Sequence, residues 1–143
     1  MNLYEMYQTD TGKERDKGVK LEFPGGAKIW IRRAGGQNTA YEKAIEAVMK
    51  PYRRQIRQNM LEEGKAQELE ATAYARGVVL DWEGVTNEAG NALDCTEENI
   101  IKLFTDLPDL FVEVKQQATD LSNFRREAQE SDAKNSGKRS SMN

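Results

Sequence analysis

Two apolar stripes at helical spacing limit what this chain can fold into more than any other feature does. In "NTAYEKAIEAVMKPYRRQIRQNMLEEG", Tyr41, Ile45, Val48, Tyr52 and Ile56 recur at intervals of four and three, which puts them along one side of a helix. Further on, Leu110, Val114, Ala118, Leu121, Phe124 and Ala128 repeat the pattern. Each stripe must be covered by another element, so the spacing predicts a mainly α fold, a small helical domain of about four helices. Asn38 or Thr39 caps the first helix and Gly64 is its expected stop. Pro51 removes one backbone hydrogen bond, so a kink or short break is expected near Met49 and Lys50.

Between the stripes, "KAQELEATAYARGVVLDW" resumes helical character, with Ala66, Leu69, Ala73 and Leu80 near one face. Its end is apolar nearly all round from Gly77 to Leu80 and is expected to be buried. A polar loop from Gly84 to Asp94 follows, then a short helix capped by Thr96 with Glu97 and Glu98 in its first turn. Leu107-Pro108-Asp109 opens the last helix. Ahead of the helices, Val19, Leu21 and Phe23 alternate with Lys20 and Glu22, and Ile29 and Ile31 with Lys28, Trp30 and Arg32. The Pro24-Gly25-Gly26 turn between them makes these segments a β-hairpin, 19–33, which must pack on something because a lone hairpin is marginal in water. The expected organisation is a flexible N-terminal segment 1–18, one mostly helical domain 19–130, and a disordered tail 131–143 rich in Ser, Lys, Asn and Gly.

Composition excludes more chemistry than any motif establishes. The 143 residues contain no histidine and one cysteine. That removes the commonest general base near neutral pH, Ser-His and Cys-His nucleophile pairs, imidazole zinc sites, and any internal disulfide. No apolar run approaches the roughly 20 residues that span a bilayer, and "MNLYEMYQTDTGKERDKG" lacks the pattern of a signal peptide. A soluble, cytoplasmic chain is the expectation, with no membrane partner and no cofactor.

Three places remain as candidate sites. The first is "RGVVLDWEGVTNEAGNALDCTEEN". Neither a register starting at Asp81 nor one starting at Asn87 supplies the ligands and glycine of a calcium loop. Asp81 and Glu83 lack the partners of a carboxylate active site. Trp82 and Val85 instead read as anchors of a helix end, followed by a surface turn. The second is "KPYRRQIR": Lys50, Arg53, Arg54 and Arg57 share one helical face, largely away from the apolar stripe. That face is either solvated and paired with local acids such as Glu46, Glu62 and Glu63, or a contact for an acidic partner. The net charge of -3 and the lack of stacking aromatics on that face argue against nucleic acid. The third is Trp30, opposite Ile29 and Ile31 on the hairpin. It is either an exposed contact residue beside Lys28 and Arg32 or a cover for a helix of its own chain. The glycine pairs 25–26 and 35–36 fit no phosphate loop. Catalytic and metal residues are therefore expected to be none, and partner contacts to fall among Trp30, Lys50, Arg53, Arg54, Arg57 and Trp82.

The order of motifs also carries a resemblance. A hairpin leading into "KPYRRQIR", then "AYARGVVLDWEGVTNEAGNAL", "TEENIIKLFTDLPDLF" and "DLSNFRRE" resembles the tail assembly chaperones of long, non-contractile-tailed bacteriophages, over roughly residues 19–136. Its most specific parts are "VVLDWEGVTNEAG", 78–90, and "LFTDLPDLF", 103–111. The resemblance implies a non-enzymatic chaperone in the host cytoplasm, absent from the finished particle. It would keep the tape measure protein soluble and bring tail tube protein to it. Relatives of that kind commonly have a frameshift-extended form, and self-association is compatible with the role. Two other readings stay open: a minor structural tail component retained in the virion, and a small nucleic-acid-binding regulator using the basic helix.

Overall fold

The computed structural model describes residues 2–126. The tail expected at 131–143, and Ala128 of the second stripe, lie outside them.

The chain begins with two short helices, α1 (Leu3–Tyr7) and α2 (Thr11–Arg15). Asn2 and Glu5 close a capping box on α1, and Asp10 accepts from Lys13 N at the start of α2. The segment expected to be a flexible lead-in is thus folded, and its second half is anchored. Asp10 N donates to the Phe124 carbonyl at 2.7 Å and Thr9 bridges Arg125. Glu14 is fully buried, pairs with Arg33 at 3.3 Å and accepts from Gln37 N. A buried carboxylate persists only where such partners replace water.

The hairpin forms as expected: β1 (Val19–Glu22) pairs antiparallel with β2 (Lys28–Ile31). Helix α3 (Thr39–Met49) then runs into a 3-10 turn, Lys50–Tyr52, and a short α4 (Arg53–Arg57). The break therefore falls where Pro51 required it. Asn38 precedes α3 but does not cap it. Its side chain is buried and donates to the carbonyls of Arg33 and Gly77 at 2.8 and 2.7 Å. The stop expected at Gly64 falls earlier. Asn59 takes a left-handed conformation, Asn59 N reaches Ile56 O and Met60 N reaches Gln55 O, a Schellman closure of α4. Gly64 instead begins α5 (Lys65–Gly77).

The helix expected to run through Leu80 ends at Gly77, and Val79–Glu83 is a third strand, β3, paired antiparallel with β2. Ile31 faces Val79 and Trp30 faces Asp81, so Leu80 is an extra residue in the ladder. Such a bulge lets Val79 and Trp82, three apart, both turn to the core. Helices α6 (Glu97–Asp106) and α7 (Pro108–Thr119) follow, with Thr96 capping α6 through Asn99 N at 3.2 Å. The last stripe does not stay on one helix: α7 stops at Thr119, and a 3-10 turn, Leu121–Phe124, folds Phe124 into the interior.

One core joins these parts. Ile29, Ile31, Val79 and Trp82 on the inner face of the sheet meet Tyr74, Ile100, Phe104, Phe111 and Val114 from the helices. Rings link four helices in a chain: Tyr41 edge-on to Tyr74 at 5.5 Å, Tyr74 edge-on to Phe111 at 5.2 Å, and Phe111 stacked on Phe104 at 4.8 Å. Helices α3 and α5 approach so closely that a Cβ on Gly77 would lie 2.6 Å from the Tyr41 Cα.

Candidate functional site

The loop after β3 is built to a defined shape. Thr86 bridges Ala92, Asn87 N donates to Asn91 O and Asn91 N to the Asn87 side chain, both at 2.9 Å, and Gly90 supplies the positive φ of the tip. Below it, Leu93 N donates to Val85 O, and the Trp82 indole donates to Leu93 O at 2.8 Å. Asn99 on α6 donates to Asp94 O at 2.9 Å, which ties the far side of the loop to the helix.

This leaves an open cleft of about 650 Å³ between the loop and α6. Ala89, Leu93, Leu103 and Leu107 supply its apolar lining, and Glu88, Asn99, Lys102 and Asp106 its polar groups. Residues 99, 102, 103 and 106 follow one helical face, so α6 buries Ile100 and Phe104 in the core while offering a second face to the cleft. Lys102 pairs with Asp106 at 2.8 Å, and that hydrogen bond raises the ammonium pKa. Leu107 is half-exposed. A cleft of this size with apolar walls and a charged rim suits an apolar side chain or helix turn of another molecule.

The residues expected to carry contacts are distributed differently. Trp82 is only 5% exposed, so it holds the loop in place and offers no surface to a partner. The anchoring expected of Trp82 and Val85 is present, on a strand and loop in place of a helix end. Trp30 is half-buried on the outer face of the sheet, beside a shallow depression of about 290 Å³ shared with Asp16, Lys17, Leu80, Asp81 and Glu83. Lys50, Arg53, Arg54 and Arg57 are all exposed, and Arg53 pairs with Glu46. Ile56 and Met60 stand exposed beside them, so the apolar stripe that begins on α3 is uncovered beyond Tyr52, which is half-buried under Lys65. Cys95 is half-buried, and burial, then the Asp81 carboxylate, push its thiol pKa up. Among the described residues no cluster of His, Cys, Asp and Glu is placed to hold a metal ion, and no helix is long and apolar enough to cross a membrane.

The sequence singles out the loop side of the cleft, within 76–99, but not the α6 face opposite it. The signal for that face is surplus apolar width: Ile100, Ile101, Leu103 and Phe104, with Leu107 at the C-cap, are more than a ten-residue helix needs for one buried face. The cleft also sets the end of the segment 78–90 opposite the start of the segment 103–111, with twelve residues between them along the chain.

No curated protein and no solved structure matches the chain significantly. A family model described as YdaY prophage protein matches residues 36–135. The match takes in α3 through α7 and both sides of the cleft. The chain belongs to this family and is phage-derived.

Proposed function

Taking phage origin as the premise, we propose that the chain is a non-enzymatic tail assembly chaperone that keeps the tape measure protein soluble until tail tube protein polymerises around it. The observation that carries the reading is the loop–α6 cleft. The two segments most similar to such chaperones, 78–90 and 103–111, form its opposite sides. A tape measure protein is expected to be a long helical chain with apolar stripes that are uncovered before assembly. An apolar floor receives one turn of such a stripe, and a charged rim keeps the complex reversible. The exposed arginines of α4 supply a second contact for acidic segments of the client.

The test is co-expression with the tape measure protein of the same prophage, followed by affinity purification of the tagged chain. A soluble tape measure protein that co-elutes, with the chain missing from washed particles, is the expected result. A tape measure protein that stays insoluble while the chain elutes alone overturns the proposal. Retention of the chain at stoichiometric levels in washed particles makes it a structural tail component instead.

A further inference from the structure

Helix α1 is left uncovered by the other described residues. It buries no residue, and Leu3, Tyr4, Met6 and Tyr7 are exposed by 71, 78, 40 and 61%. Four large apolar side chains on a five-residue helix are far more than a solvated arm carries by chance. A helix this short does not hold together in water through its own hydrogen bonds. Its capping box sets the shape, and a surface must supply the rest.

The arm cannot use the cleft of its own chain while it stays helical. Thr9 and Asp10 are fixed to Arg125 and Phe124, beyond the C-terminal end of α7. The cleft lies at the other end of α7, next to Leu107. The 12 residues of α7 span about 18 Å. From Thr9 back to the middle of α1 the chain reaches only about 10 Å. The same tether leaves α1 free to enter the cleft of a second copy.

We infer that α1 of one copy docks in the loop–α6 cleft of another, with Leu3, Tyr4, Met6 and Tyr7 as the inserted side chains. The exchange is reciprocal, as a two-fold dimer requires. It rests on the reading of the cleft as the client site, for which the arm then acts as an internal stand-in that covers the apolar floor until a tape measure segment displaces it.

The experiment is sedimentation of the full chain across the micromolar range, without any client. The parent should dimerise with rising concentration. A variant carrying Leu3→Ser, Tyr4→Ser, Met6→Ser and Tyr7→Ser should stay monomeric, each lost side chain weakening association by roughly tenfold. Ala89→Arg, an exposed loop change that fills the cleft and does not touch the core, should do the same. A parent that is monomeric throughout, or an arm or cleft variant that dimerises like the parent, overturns the inference. Because no client is present, those failures leave the chaperone reading untouched. A dimer that behaves as expected but captures no tape measure protein sinks that reading alone.

Discussion

Replacing Gly77 by alanine sets two effects of opposite sign against each other. In an ordinary helix the change stabilises by about 1 kcal/mol, because glycine is the freer residue in the unfolded chain. Gly77, however, ends α5 against the backbone of α3. A methyl group there would lie 2.6 Å from Tyr41 Cα, 3.0 Å from Tyr41 N and 3.1 Å from Ala40 O. These are main-chain atoms with no rotamer to give. Restoring ordinary contact requires the helices to part by roughly 0.8 Å, a local overpacking that costs about 1–3 kcal/mol. The same displacement pulls the Gly77 carbonyl from Asn38 Nδ2, now 2.7 Å away, and opens the Tyr41–Tyr74 edge contact, together about another 1 kcal/mol. The net expectation is a loss of about 2 kcal/mol, read as a urea midpoint lower by about 1 M at unchanged slope. Gly12→Ala, within α2, is the control, since a Cβ there meets only side-chain atoms, at 3.1 and 3.9 Å, and it should not lower stability. A Gly77→Ala midpoint equal to or above the parent's would refute the close crossing of α3 and α5.

Other expectations follow from the same contacts. Trp82→Phe keeps a ring in the core but deletes the indole donor to Leu93 O; thermal melting should show a loss of about 1–2 kcal/mol, and amide exchange in the 86–93 loop should speed up. Burial raises the phenol pKa of Tyr74, and burial followed by Asp81 raises the thiol pKa of Cys95. Both groups are protonated in folded and unfolded chains at neutral pH, so they cost nothing there. Above pH of about 9–10 the unfolded chain releases these protons first, so stability should fall as pH rises. Tyr74→Phe with Cys95→Ser should flatten that fall in a melting series. Neutralising Arg54 and Arg57 to serine should move stability by less than about 0.5 kcal/mol, as expected for exposed side chains. In a salt titration of captured tape measure protein the same variant should lose most of the salt dependence.

The parts of the fold that can be read from sequence are those whose periodicity is undisturbed. The hairpin alternates without interruption on both sides of a Pro-Gly-Gly turn, and Pro51 breaks its helix for reasons internal to proline. Strand β3 is hidden because its bulge puts Val79 and Trp82 three residues apart, an interval that in sequence belongs to a helix. The end of α4 is hidden because Asn59 does the work usually credited to glycine, while the nearer-looking signal at Gly64 opens the next helix. Glu14 gives no sign of burial, since its partners Arg33 and Gln37 come from a loop many residues away. The cleft suffers from both problems. Leu103 reads as core, Leu107 as punctuation before a proline, and their meeting with the 86–93 loop depends on the strand that the periodicity conceals.

Strand β3 also sets the order in which this molecule can be assembled. Its partner β2 is complete by Ile31, but Ile31 pairs with Val79, on the far side of the whole α3–α5 excursion. Closing a loop of that length before any contact rewards it is unfavourable, so helices α3 and α5 must first fold back on each other and carry the two strands together. The loop that walls one side of the cleft hangs from the end of β3. A nascent chain therefore acquires its helices early and its cleft late, and any truncation before Val79 loses the cleft together with most of the core on which the hairpin packs.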